Sequence, residues 1–130
     1  MNSSMLPHYF DENEATLLGL VLIVTKRHVN DLSELTDSEA QRLGVLINRI
    51  SKALKTSVGA AWTYCYCFME GVRHVHVFVT ARYPSLPKEY VRLNIGNWPE
   101  APVGELKEVS ELAFRLRSTL DQTVEVVPIK

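Results

Sequence analysis

Two short stretches of this chain alternate with a period of two, and that pattern commits it to a fold built around a β-sheet. In Trp62–Phe68 the rings of Trp62, Tyr64, Tyr66 and Phe68 alternate with Thr63, Cys65 and Cys67, so extended backbone puts the four aromatics on one face. In His74–Val79 the residues His74, His76 and Phe78 share a face and three valines share the other. The intervening Met69–Arg73 is short enough to predict an antiparallel hairpin. A further strand is predicted over Leu18–Val24, a β-rich run that ends at the basic turn Thr25-Lys26-Arg27-His28.

Helical signals surround these strands. Thr36-Asp37-Ser38-Glu39 is a capping box, in which the Thr36 hydroxyl accepts from the Glu39 amide and the Glu39 carboxylate accepts from the Thr36 amide. The helix that starts there carries Leu43, Leu46, Ile47, Ile50 and Leu54 on one face, and Gly59 marks its stop. A second helix is predicted from about Glu105 to Leu120, where Leu106, Val109, Leu112, Ala113, Leu116 and Leu120 trace one stripe. Between Tyr83 and Gly104 the prolines 84, 87, 99 and 102 mark a long irregular loop, in which Trp98 either stacks on a base or, the favoured reading, plugs the loop to the core. The tail Thr123–Ile129 reads as a short strand or a partner-docking arm.

At 130 residues the chain is a single domain, 1–130, because two halves would each be too small to hold a core. Fourteen Lys+Arg against fifteen Asp+Glu give a net charge of -1, so no broad cationic field is available to hold duplex nucleic acid or anionic lipid. The longest apolar run, Leu17–Val24, is far short of the roughly 20 residues of a membrane crossing. Residues 1–10 lack the basic and apolar regions of a secretion signal. The expected compartment is the cytoplasm, with Cys65 and Cys67 as reduced thiols.

The chemistry-bearing residues are His74 and His76, which on an extended strand project to one side about 7 Å apart. Spacing alone leaves them open to metal binding, phosphate chemistry or a plain hydrogen-bonding role. Arg73-His74-Val75-His76-Val77-Phe78-Val79-Thr80-Ala81-Arg82 resembles the signature of the histidine triad (HIT) family, an alternation of three histidines with apolar residues. Gly19 to Val29 resembles the family's first strand and its Pro-Lys-Arg-His end. Glu70-Gly71-Val72, Trp98-Pro99 and Leu116-Arg117 match bacterial members. The resemblance spans residues from about 18 to 120.

That resemblance implies an α/β (α+β) HIT-like fold: an antiparallel sheet, one long helix, a C-terminal helix and a nucleotide-phosphate cleft, as a homodimer. It implies a nucleotide hydrolase or nucleotidyl transferase acting on a small-molecule nucleotide, a nucleoside phosphate ester or dinucleoside polyphosphate, with no cofactor and no required metal. By position, His76 matches the family nucleophile, which forms a nucleotidyl-histidine intermediate, and His74 matches the first histidine. A neutral imidazole is a competent nucleophile near pH 7 if an acceptor such as a backbone carbonyl holds its other nitrogen. Gly71, Arg73 and Arg82 are the candidates for nucleotide or phosphate binding.

The chain departs from the pattern at two imidazole positions: Phe78 stands where the third histidine is expected, and Leu20 where the strand-one histidine is. Phenylalanine has no hydrogen bond to offer a phosphoryl or leaving oxygen, and losing one such donor typically costs about 10²–10³ in rate. The family's phosphate-binding asparagine has no counterpart between Asn48 and Asn94. Two alternatives follow: a nucleotide-binding or sensor protein without chemistry, or a zinc site of Cys65, Cys67, His74 and His76, which requires both pairs to project from one sheet face.

Overall fold

The computed structural model describes residues 17–103, 111, 114 and 124–129. The chain runs through β1 (Leu20–Thr25), α1 (Asp37–Val58), β2 (Trp62–Tyr66), β3 (His76–Arg82) and β4 (Val124–Ile129). The four strands form one sheet in the order β2-β3-β1-β4, and every neighbouring pair is antiparallel. This is the predicted mixed architecture, an antiparallel sheet with one long helix. The expected helix over 105–120 lies outside the described residues except for Glu111 and Phe114, both helical. The tail takes the strand option, pairing along β1 from Leu20↔Ile129 to Thr25↔Val124.

Helix α1 begins and ends where its residue chemistry dictates. Glu39 N–H donates to Thr36 Oγ1 (3.1 Å) and Thr36 N–H to Glu39 Oε1 (2.8 Å), closing the capping box. At the other end Gly59 takes φ 72°, ψ 30°, and its N–H bonds to the Leu54 carbonyl. A left-handed residue there is easiest for glycine. Leu46, Ile50 and Leu54 are fully buried and join Val21, Ile23, Val77, Val79 and Ala81 in the main core.

Register assigns the two sheet faces, because directly opposed residues share a face. Val21↔Val79 and Ile23↔Val77 look toward α1, as do Thr63↔Ala81 and Cys65↔Val79. The Thr63 and Ser51 hydroxyls meet at 2.6 Å, tying β2 to the helix. On the reverse face lie Leu20↔Thr80, Leu22↔Phe78, Val24↔His76, Tyr64↔Thr80 and Tyr66↔Phe78. The predicted separation of aromatics from their neighbours along β2 therefore holds.

The predicted hairpin differs in two respects. Strands β2 and β3 do pair, but their connection is 67–75 rather than the five residues Met69–Arg73. His74 and Val75 precede β3, because the Val75 amide leaves the sheet pattern to bond the Val29 carbonyl (2.7 Å) and the His74 ring is drawn to the end of β1. Trp62 and Phe68 are exposed in the single chain, Trp62 by 66%. The proline-rich loop carries 3-10 turns at Lys88–Tyr90 and Arg92–Asn97. Ile95 and Trp98 anchor it in the core, the favoured reading for Trp98, and Tyr83 Oη donates to the Leu18 carbonyl at 2.6 Å. No described helix is long and apolar enough to cross a membrane.

Candidate functional site around His74 and His76

The site sits where β1 ends and β3 begins. His74 Nε2 donates to the Thr25 carbonyl (2.8 Å) and lies 3.4 Å from Thr25 Oγ1, which itself donates to the Arg27 carbonyl at 2.9 Å. His28 meets the His74 ring edge-on, centroids 5.0 Å apart, while its Nε2 donates to Asn30 Oδ1 at 2.8 Å. His76 Nδ1 lies 2.8 Å from the His74 carbonyl. A carbonyl only accepts, so Nδ1 carries the proton and neutral His76 keeps its lone pair on Nε2. This is the backbone acceptor that a nucleophilic imidazole requires. Both rings are deeply set, with 4% of each residue exposed.

Beside His76 on the reverse face is a row of rings. Phe78 contacts His76 edge-on, centroids 5.7 Å apart, and stacks on Tyr66 at 5.1 Å with 17° between planes. Tyr66 in turn leans on Phe68 at 6.3 Å. Burial pushes the Tyr66 phenol above its usual value, because a phenolate is poorly solvated among these rings.

The candidate phosphate ligands are not brought together. Arg73, exposed, lines a cavity of about 390 Å³ with Asn30, Asp31, Glu34, Met69 and Glu70, between the segment after β1 and the β2–β3 connection. Gly71 is exposed two residues earlier in that connection. Arg82 is at the far end of β3, opposite Trp62, with Nη1 donating to the Tyr83 carbonyl at 3.1 Å. Six residues of extended strand, about 20 Å, separate it from His76. Of the basic turn, Arg27 is committed to α1: Nε and Nη2 grip the Glu39 carboxylate at 3.0 and 2.7 Å, and Nη2 also donates to the Glu34 carbonyl. That fork, with the Thr36 amide, pulls the Glu39 carboxyl down to about 2.

The four-ligand zinc arrangement is not formed. Cys65 points with Val79 toward α1, whereas His76 points with Val24 to the reverse face, and Cys67 Sγ packs on Met69 Sδ at 3.5 Å. Burial pushes both thiols up, away from the thiolate a metal needs. Among the described residues no cluster of three or more His, Cys, Asp or Glu is placed to hold a metal ion. Sequence reasoning missed Thr25, whose carbonyl receives His74. No signal marks it, since any residue there offers a carbonyl.

Similar proteins share this fold. The model of the HIT domain matches residues 7–85. A histidine triad (HIT) protein from Sinorhizobium meliloti 1021 superposes with a TM-score of 0.61 at 24% identity, covering 78% of this chain and 74% of that one. A Hit-like protein involved in cell-cycle regulation from Bartonella henselae gives 0.57 at 15%, covering 85% and 77%. A histidine triad protein from Marinobacter aquaeolei VT8 gives 0.57 at 17%, covering 85% and 87%. No curated protein sequence matches. The solved structures agree in fold, and with a family model that spans more than half of its length this chain belongs to the HIT domain family.

Proposed function

We propose that this protein is a nucleotide hydrolase or nucleotidyl transferase in which His76 attacks the α-phosphorus of a nucleoside phosphate ester or dinucleoside polyphosphate. The observation that carries the reading is the Nδ1–H bond from His76 to the His74 carbonyl. It leaves the nucleophilic lone pair on Nε2 and holds the ring in one orientation. In this reading His74 is the first triad histidine, fixed through Thr25 and supplying the carbonyl, and Phe78 replaces the third. Arg73, which lines the cavity between the segment after β1 and the β2–β3 connection, and Gly71 belong to the phosphate side. Arg82 serves β3 rather than the phosphate. The reading takes residues 1–130 as one HIT-like domain of bacterial type, cytoplasmic, and homodimeric through β2. Support for the dimer comes from the position of β2 at the sheet edge with Trp62 exposed on it.

The test is mass spectrometry of the protein quenched during incubation with diadenosine and diguanosine polyphosphates, alongside turnover. Wild type should carry a nucleotidyl adduct. His76→Ala should lack it and turn over about 10³-fold more slowly or worse. Equal turnover in His76→Ala removes the ring from the mechanism.

A second reading, nucleotide binding without chemistry, is favoured by the depth of His76 and by the phenyl ring beside it. It predicts calorimetric binding of AMP or GMP with no product after extended incubation.

A further inference from the structure

On the His76 face the imidazole, phenyl and phenol rings of His76, Phe78 and Tyr66 form a continuous row, Tyr66 directly opposite Phe78 across the β2–β3 ladder. We propose that Tyr66 is a further catalytic residue, whose hydroxyl donates the hydrogen bond to the phosphoryl group that Phe78 cannot. The proposal rests on the reading of His76 as nucleophile and names the group that compensates its altered surroundings.

Three observations support it. The near-parallel stack on Phe78 holds the Tyr66 ring in a defined plane, so little conformational freedom is lost when the hydroxyl engages a ligand. The other hydroxyls on this face are held elsewhere: Thr80, fully buried, reaches the Ala81 carbonyl, and Tyr64 Oη is anchored beside the proline-rich loop, accepting from the Arg92 amide at 3.0 Å. That of Tyr66, only partly buried, has no such partner among the described residues. The phenol, pushed up by burial, also keeps its proton throughout the neutral range, so it is a donor rather than a repelling anion. In the transfer step the Nε2–P bond forms as the bond from phosphorus to the leaving oxygen breaks, and the electron pair departs with that oxygen. The phenol hydrogen-bonds a non-bridging oxygen and retains its proton.

The test uses p-nitrophenyl esters of AMP and GMP together with both diastereomers of their phosphorothioate analogues. Tyr66→Phe keeps the stack and should unfold at the wild-type temperature while kcat/KM falls about 10²-fold, the typical cost of one such donor. Sulfur at the contacted position should slow wild type but slow Tyr66→Phe no further, a signature that a packing role does not produce. Adding Phe78→His to Tyr66→Phe should restore most of the loss. Wild-type kinetics in Tyr66→Phe, or an unchanged sulfur effect, overturns the assignment of Tyr66 alone provided His76→Ala abolishes turnover. If wild type neither turns over nor forms an adduct, the nucleophile reading falls and takes this one with it.

Discussion

The two faces of the central β1/β3 ribbon share one backbone and have almost nothing else in common. Toward α1, Val21, Ile23, Val77, Val79 and Ala81 meet Leu46, Ile50 and Leu54 in an apolar layer closed to water. On the reverse face the same strands present Leu22, Val24, His76, Phe78 and Thr80, and β2 adds Tyr66, so polar groups and aromatic rings mix. Alternation of side chains across the pleat makes this division possible. One strand contributes successive residues to the core and to the site, and their energetics are largely separable when they share no partners. The helix side carries the main apolar core, and the reverse face carries His76 and Phe78.

Substitutions should split along that line. The largest effects are those on turnover at His76 and then at Tyr66, where Tyr66→Phe keeps the stacked ring and leaves unfolding little changed. On the helix side Leu54→Ala removes a fully buried side chain and should lower stability by about 2–5 kcal/mol, measured by urea unfolding, while the folded fraction retains wild-type adduct formation. A loss of adduct beyond the loss of folded protein would show the two faces to be coupled.

A smaller effect is expected at Gly19, in the turn that enters β1. Its φ is +92°, and a methyl group would sit 3.0 Å from Ala81 Cβ. Gly19→Ala should cost about 1–3 kcal/mol without altering nucleotide affinity; a Tm equal to wild type would mean that the turn relaxes freely.

The smallest lies at the edge of the helix layer. The Arg27 fork, and then the Thr36 amide, hold the Glu39 carboxyl at about 2, below its ordinary 4.5. A carboxyl with a depressed folded value contributes stability that is complete above pH 4.5 and is lost as pH falls toward 2. Wild type should therefore lose stability over that window relative to Glu39→Gln, and parallel curves for the two proteins would show that the ion pair contributes nothing.

Legibility followed the range of the interactions. The capping box spans Thr36 to Glu39, and every group in it lies within one turn, so four letters were enough. The strands were readable because burial of one face imposes a period of two. The exit of His74 from the predicted strand was not readable, since it depends on a carbonyl 49 residues away at Thr25. Arg82 looked equivalent to Arg73 as a flanking cation, yet the length of β3 carries it to the other end of the sheet. Tyr66 read as one more member of an aromatic face, and only its register opposite Phe78 distinguishes it from Tyr64.

By itself the sequence determined the mixed α/β class, the bounds of α1 and the appearance of His76 and Phe78 on the face opposite the valines, because periodicity, capping and burial act locally along the chain. Tertiary structure decided where the His74 ring is anchored, which arginines lie near His76 and which hydroxyl stands beside Phe78. Those outcomes follow from strand register and from hydrogen bonds between segments far apart in sequence, which no local pattern encodes.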